Sequence, residues 1–313
     1  MLKEIFKKNK NIVINTDIDG FLSGMLLQKY YDCKVVGFSN SRETIWLEPT
    51  VKSILEPIYI DIYLNHPEVI CIDQHIIAFN KKHHNTILEQ GTKLNPNLDR
   101  GRTFVGDLTG DYYHKYPFGT VHYLIKLMAE DGIIVELGDL EKLCTSNNIT
   151  TNLAQIILRA DDALYSTLSP YRANALDWWE WLDKSNSIPA IQELRKYINK
   201  CEISRSREYK NHIGMFFKSL GCDGIDGAFQ NIVDSDGILL SKVKNFSEVI
   251  GDCIGVKLDL PSRYKIHKGT YKVTYVYPYT EMRILNSDKL FSYAFIFGPN
   301  PKYPNFSFTM DMN

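Results

Sequence analysis

The feature that most constrains this chain is a series of short apolar runs that break off at acids. Asn11-Ile-Val-Ile-Asn15 leads into Thr16-Asp-Ile-Asp-Gly20, Pro57-Ile-Tyr-Ile ends on Asp61, and Glu68-Val-Ile-Cys-Ile ends on Asp73. Apolar runs of this length, bounded by turn residues, read as buried strands. Lys34-Val-Val-Gly-Phe-Ser39 is another, and Phe21 to Tyr31 carries apolar residues at helical spacing. Strands alternating with helices imply a parallel sheet covered on both faces. Such sheets bind ligands beyond the carboxyl ends of their strands, so the strand-end aspartates are expected to converge on one crevice.

Further along, Phe118 to Asp131, Leu140 to Cys144, Asn152 to Leu164 and Ala175 to Leu182 read as helical, and Pro189 to Arg207 as a long polar helix. At 313 residues the chain exceeds one ordinary core, which points to two domains. The boundary is placed near residue 190. Residues 1–190 then form an α/β domain with a parallel sheet, and residues 191–313 a smaller α/β domain. The latter has Gly/Asp turns such as Gly221-Cys-Asp-Gly224 and strand-like runs at Gly237–Val243, Thr270–Tyr277, Glu281–Leu285 and Phe291–Phe297.

No segment reaches the ~18 uninterrupted apolar residues that a membrane span needs. The first ten residues show no apolar stretch of the kind that directs export. A cytoplasmic protein without a membrane partner is the expectation. The six cysteines stand far apart, with no Cys-x-x-Cys pair, and read as reduced thiols and not zinc ligands. A formal net charge of −1 neither supports nor excludes a nucleotide partner, because a short ligand needs only a local basic cluster.

Several carboxylates at strand ends suit Mg²⁺ or Mn²⁺, which prefer oxygen ligands and can clamp both sides of a phosphoryl displacement. Asp17 and Asp19 stand two apart on a turn, and Gly20 lets the backbone pass close by.

In the order of its pieces the chain resembles the DHH phosphoesterases. Their first motif, His-x-Asp-x-Asp-Gly after a strand, is matched by Asn15-Thr-Asp17-Ile-Asp19-Gly20; the second, a strand-ending Asp, by Tyr59-Ile-Asp61. The third, Asp-His-His, is matched by Asp73-Gln74-His75, and the fourth by Arg159-Ala-Asp161 behind the helix that begins Gly119-Thr-Val-His-Tyr. The resemblance spans residues 11 to about 165 and implies two divalent ions, Mn²⁺ or Mg²⁺. By position, Asp17 would bind one ion, Asp19 and Asp161 the other, and Asp61 would bridge them. His75 would touch the scissile phosphate, with Asp73 ligating or orienting its neighbours as the second catalytic residue. Two imidazoles of the pattern are replaced by Asn15 and Gln74, whose amide oxygens would be weaker, harder ligands and would tilt the site toward Mg²⁺. The family's Gly-Gly-Gly-His loop has no counterpart. Its nearest position is Gly298-Pro-Asn-Pro-Lys302, and Arg283 and Lys302 would supply positive charge to a substrate. The resemblance thus implies hydrolysis of a phosphate ester or anhydride, of a small nucleotide or a short oligonucleotide.

Two other readings fit parts of the sequence. In one, a haloacid-dehalogenase-like phosphatase, Asp17 is the nucleophile and Gly106-Asp107-Leu-Thr-Gly-Asp111 a late acidic motif. In the other, a DHH-like fold without two imidazoles and its glycine loop serves as a binding protein. His83 and His84, beside Lys81 and Lys82, read as a solvated face before a phosphate contact, Arg100 and Arg102 as surface before a phosphate clamp, and Trp178, Trp179 and Trp181 as packing residues before any base-stacking role.

Overall fold

The computed structural model describes residues 1–104, 114–160, 172–200, 207–275, 281–296 and 305–313. In chain order it begins with α1 (Leu2–Lys8), β1 (Asn11–Asn15), α2 (Ile18–Tyr31), β2 (Lys34–Ser39), β3 (Thr44–Leu47), β4 (Ile58–Ile60) and β5 (Cys71–Ile72). There follow α3 (Lys81–Gln90), β6 (Lys93–Leu94), α4 (Pro96–Asp99), α5 (Thr120–Glu130), β7 (Leu143–Ser146), β8 (Ile149–Asn152) and α6 (Leu153–Leu158). The chain continues through α7 (Arg172–Leu182), α8 (Pro189–Lys200), α9 (Arg207–Ser219), α10 (Ser241–Ile254), β9 (Lys265–Lys268), β10 (Thr270–Tyr275), α11 (Glu281–Leu285), β11 (Leu290–Ile296) and β12 (Asn305–Met310).

The class is α/β. Among the described residues the main sheet has seven strands in the order β6-β5-β4-β1-β2-β3-β9. Every pairing from β6 to β2 is parallel, and β3 and β9 join the far edge antiparallel. The central strand shows why the sequence reads as it does: Ile12, Val13 and Ile14 are wholly buried, as both faces of a parallel sheet must be. Asp17 caps α2 by accepting the Gly20 N–H at 3.0 Å, and Asp32, in the left-handed region at φ 56°, ends it.

The C-terminal part contributes in two ways. Phe216, Phe217, Val243, Phe246 and Ile250 of α9 and α10 enter the same hydrophobic cluster as β1 and α2. The antiparallel sheet β10-β12-β11 packs Tyr293, Phe295, Phe306 and Phe308 against Tyr63, Ile76 and Phe79, next to the carboxyl ends of β4 and β5. α8 begins at Pro189. No described helix is long and apolar enough to cross a membrane.

Four local expectations are corrected. Leu140–Cys144 is not a helix; it runs into the hairpin β7-β8, whose two-residue turn, Asn147-Asn148, takes positive φ at both positions (47° and 64°). Glu281–Leu285 is helical, a five-residue stretch too short for periodicity to separate strand from helix. Gly237–Val243 holds a turn at Gly237, with φ 77°, and then the start of α10. Cys144 and Cys253 are joined as a disulfide that ties β7 to α10, so the reading of all cysteines as reduced thiols does not hold for this pair. Cys33, Cys71 and Cys222 are buried free thiols.

Candidate metal centre

The strand order reverses at β1: the chain leaves it for β2 on one side and later returns as β4 on the other. A crevice opens at such a switch point, beyond the carboxyl ends of the strands. The residues placed there are polar at every parallel strand: Asn15 ends β1, Ser39 ends β2, Asp61 follows β4, Asp73 follows β5 and Asn95 follows β6. Ladder bonds extend just past the strands, from Asp61 N–H to Ile72 O at 2.8 Å and from Asp73 N–H to Leu94 O at 3.0 Å. They hold both aspartates in register at the sheet edge. Asp61 has φ 62°, a left-handed backbone that Asp and Asn tolerate better than other non-glycine residues.

Asp61, Asp73 and His75 each offer a ligand atom within 4.8 Å of the others, with both acids buried. His75 Nδ1 lies 2.7 Å from Asp73 Oδ1, and the His75 backbone N–H donates to Asp73 Oδ2 at 3.2 Å. A carboxylate can only accept, so Nδ1 carries the hydrogen. His75 Nε2 lies 3.3 Å from Gln74 Nε2. Asn95 steadies the pair, donating to His75 O at 2.8 Å and to Asp73 Oδ2 at 3.4 Å. Asp61 is held from two sides, by Thr120 Oγ1–H on Oδ1 at 2.9 Å and by Asn15 Nδ2–H on Oδ2 at 3.0 Å. Asn15 Nδ2 also donates to Asp17 Oδ2 at 3.0 Å, while its oxygen accepts from Thr16 N–H at 2.8 Å. Asn15 and Gln74, both read as oxygen ligands, thus present nitrogen to the site.

No protein-family model, curated protein or solved structure matches this chain. The reading of the site rests on its geometry.

Asp19 is turned elsewhere. Its carboxylate accepts the backbone N–H groups of Thr120 at 2.6 Å and Val121 at 2.8 Å, the first residues of α5, and the Ser23 hydroxyl at 3.4 Å. A helix start offers unpaired N–H donors and a partial positive charge, which a buried carboxylate satisfies. Gly119 is required by this closeness: a Cβ there would lie 2.8 Å from the Asp19 carboxylate.

The acids open onto a cavity of about 480 Å³ whose walls include Asn15, Asp17, Asp61, Tyr63 and His75 on the sheet side. Ser292, Ala294 and Ser307 of the antiparallel sheet face them, together with Arg42, whose guanidinium lies 5.9 Å from the Tyr271 ring centre. A third wall, Asp226 to Gln230, is pinned to the acidic turn by Thr16 Oγ1–H donating to Phe229 O at 2.8 Å and Phe229 N–H to Thr16 O at 3.1 Å. Arg283 is exposed on α11 and is not among the described wall residues. Asp161 and Lys302 lie outside the described residues, as do Gly106–Asp111 and Gly298.

Thr120, Asn95, Arg42 and the Asp226–Gln230 segment were not anticipated from the sequence. Only Asn95 carried a signal, as a polar residue ending a short strand. His83 and His84 are not a solvated face. His84 Nε2 bonds Leu98 O at 2.8 Å, while His83 accepts the Phe79 N–H at 3.2 Å through Nδ1 and lies 3.3 Å from Tyr293 Oη through Nε2. Trp178 and Trp179 are buried in the core, as packing residues.

Proposed function

We propose that this chain is a divalent-cation-dependent phosphoesterase of DHH type, hydrolysing a phosphate ester or anhydride of a small nucleotide or short oligonucleotide. The observation that carries the reading is the meeting of Asp61, Asp73 and His75 within 4.8 Å at the switch point of a parallel sheet, beside a cavity of about 480 Å³. Two carboxylates and an imidazole form a donor set that Mn²⁺ and Mg²⁺ accept, and the cavity is in the ~300–1,000 Å³ range of small-ligand sites. When bound, the cation would polarise a phosphoryl oxygen and acidify a water.

The chain's own groups prepare that chemistry. Thr120 and Asn15 hold the two oxygens of Asp61 in place. Asp73 fixes the tautomer and plane of His75, so that Nε2 is the basic nitrogen. Arg42 brings positive charge to the same cavity, suited to a phosphate oxygen.

A second reading, a cation-dependent nucleotide-binding protein without turnover, is favoured by one observation: both imidazole positions of the family pattern hold amides. Purified protein incubated with Mg²⁺ or Mn²⁺ and a panel of short oligonucleotides, linear and cyclic dinucleotides and polyphosphate separates the readings. Hydrolysis abolished by chelator supports the enzyme. Cation-dependent binding without products supports the second reading, and absence of cation binding rejects both.

A further inference from the structure

The amide at position 15 does more than replace a ligand. Asp17 Oδ2 and Asp61 Oδ2 each lie 3.0 Å from Asn15 Nδ2. Both are acceptors only, so the atom between them must be the nitrogen, and its two hydrogens serve one carboxylate each. The opposite end of the amide is engaged as well, accepting the Thr16 backbone N–H at 2.8 Å. A carboxamide nitrogen has no lone pair to give a metal. Asn15 therefore does between Asp17 and Asp61 what a shared cation would do: it lies between two acids, offers each a positive end and sets their spacing.

The other carboxylate of the turn is also committed. Asp19 spends one oxygen on Thr120 N–H and the other on Val121 N–H, at 2.6 and 2.8 Å, both within the rigid start of α5. Moving it to a metal would strip two buried backbone donors of their acceptor. Position 74 repeats the logic, since Gln74 directs its amide nitrogen toward His75. The donor set that the DHH pattern assigns to two ions is thus divided. Asp61, Asp73 and His75 converge as ligands, whereas Asn15, Asp17 and Asp19 form a hydrogen-bonded frame around them.

We infer that this is a one-cation centre, with a single divalent ion at Asp61, Asp73 and His75 and the Asn15 carboxamide in place of a second ion between Asp17 and Asp61. The inference rests on the metal-centre reading above and assigns Asn15 as a positioning residue. The amide occupies the place between the two acids and turns N–H, not a lone pair, toward it, so a second ion there would have to displace Asn15.

The test is to count Mn²⁺ on the full-length chain by equilibrium dialysis and by electron paramagnetic resonance. Wild type is expected to bind one Mn²⁺ per chain at saturation, with the signal of an isolated ion. Asn15→Asp, which converts the donor into a third carboxylate, and Asn15→His, which restores an imidazole, are each expected to bind a second equivalent with a spin-coupled signal. Circular dichroism confirms that each variant is folded. Two coupled ions on wild type would overturn the inference while leaving the metal-centre reading intact, and no ion at all would overturn both. If both variants remain at one ion, Asn15 does not hold the second ion's place.

Discussion

Asp19 and Thr120, 101 residues apart in sequence, meet through a 2.6 Å hydrogen bond from the Thr120 backbone N–H to the Asp19 carboxylate. The same Thr120 gives its hydroxyl to Asp61 at 2.9 Å. One residue at the start of α5 thereby joins an acid that serves the fold to an acid that faces the cavity. The two aspartates of the Asp17-Ile-Asp19 turn are consequently different in kind: Asp17 borders the cavity, and Asp19 anchors a helix.

Asp19→Asn separates these roles. The amide keeps the shape but can accept with one atom only, so either Thr120 N–H or Val121 N–H would confront another donor. The expected loss is about 3 kcal/mol in urea unfolding, from an unmet buried donor and a lost charge at a helix start. Mn²⁺ affinity of the folded variant should stay near that of wild type, and a collapse in affinity with unchanged stability would show that Asp19 is a ligand after all.

Asp61→Asn should have the opposite profile. Asn tolerates the left-handed backbone at φ 62°, can accept from Asn15 with its oxygen and can donate to Thr120 Oγ, so the fold is preserved. What disappears is the negative charge. Cation-dependent hydrolysis of phosphate esters should fall by at least ~100-fold, on the order of 2.7 kcal/mol of barrier, with the unfolding midpoint little changed. Turnover at the wild-type rate would remove Asp61 from the centre.

The sheet was legible because fully buried strands such as Ile12–Ile14 leave an unbroken apolar run, and the strand-end acids were legible because parallel strands put their carboxyl ends on one edge. What the sequence did not disclose depends on contacts between distant segments. Nothing local to Asp19 shows that Thr120 and Val121 will lie against it. Nothing at Asn15 says which end of its amide will face the acids, since that is decided by Asp61, 46 residues away, as much as by Asp17. His83 and His84, beside two lysines, look solvated in isolation. They are drawn inward because α3 packs on the antiparallel sheet, where Tyr293 meets His83.

Acid should weaken the fold through two histidines, His83 on α3 and the wholly buried His122 on α5. Burial lowers the pKa of His83 and of His122 from the ordinary 6.5 to about 4. Between those values the unfolded chain binds protons that the folded chain refuses, so stability is full above pH 6.5 and falls as pH drops toward 4. Each contributes roughly 3 kcal/mol across that window. Urea unfolding from pH 7 to 4 should record the decline, and His83→Phe should remove about half of its slope while lowering stability at pH 7. An undiminished slope in that variant would assign the acid sensitivity to other groups.

The closeness of α2 to β1 makes the sharpest steric prediction. A Cβ on Gly20 would lie 2.2 Å from the Asn15 carbonyl oxygen and 2.7 Å from the Asn15 nitrogen, both of them backbone atoms in the central strand that cannot step aside. Gly20→Ala must therefore push the start of α2 away from β1. That movement strains the 3.0 Å bond from Gly20 N–H to Asp17 and carries Asp17 away from Asn15. The expected cost is about 3 kcal/mol, at the upper end for an added methyl group in a packed core. Mn²⁺ affinity should fall with it, because Asn15 also holds Asp61. Gly91→Ala is the control: it has φ 67° but nothing within 4 Å of the new Cβ, so it should cost only the ~1 kcal/mol of left-handed backbone strain and leave cation binding unchanged. Equal effects from the two substitutions would mean that contact with Asn15 is not what excludes a side chain at position 20.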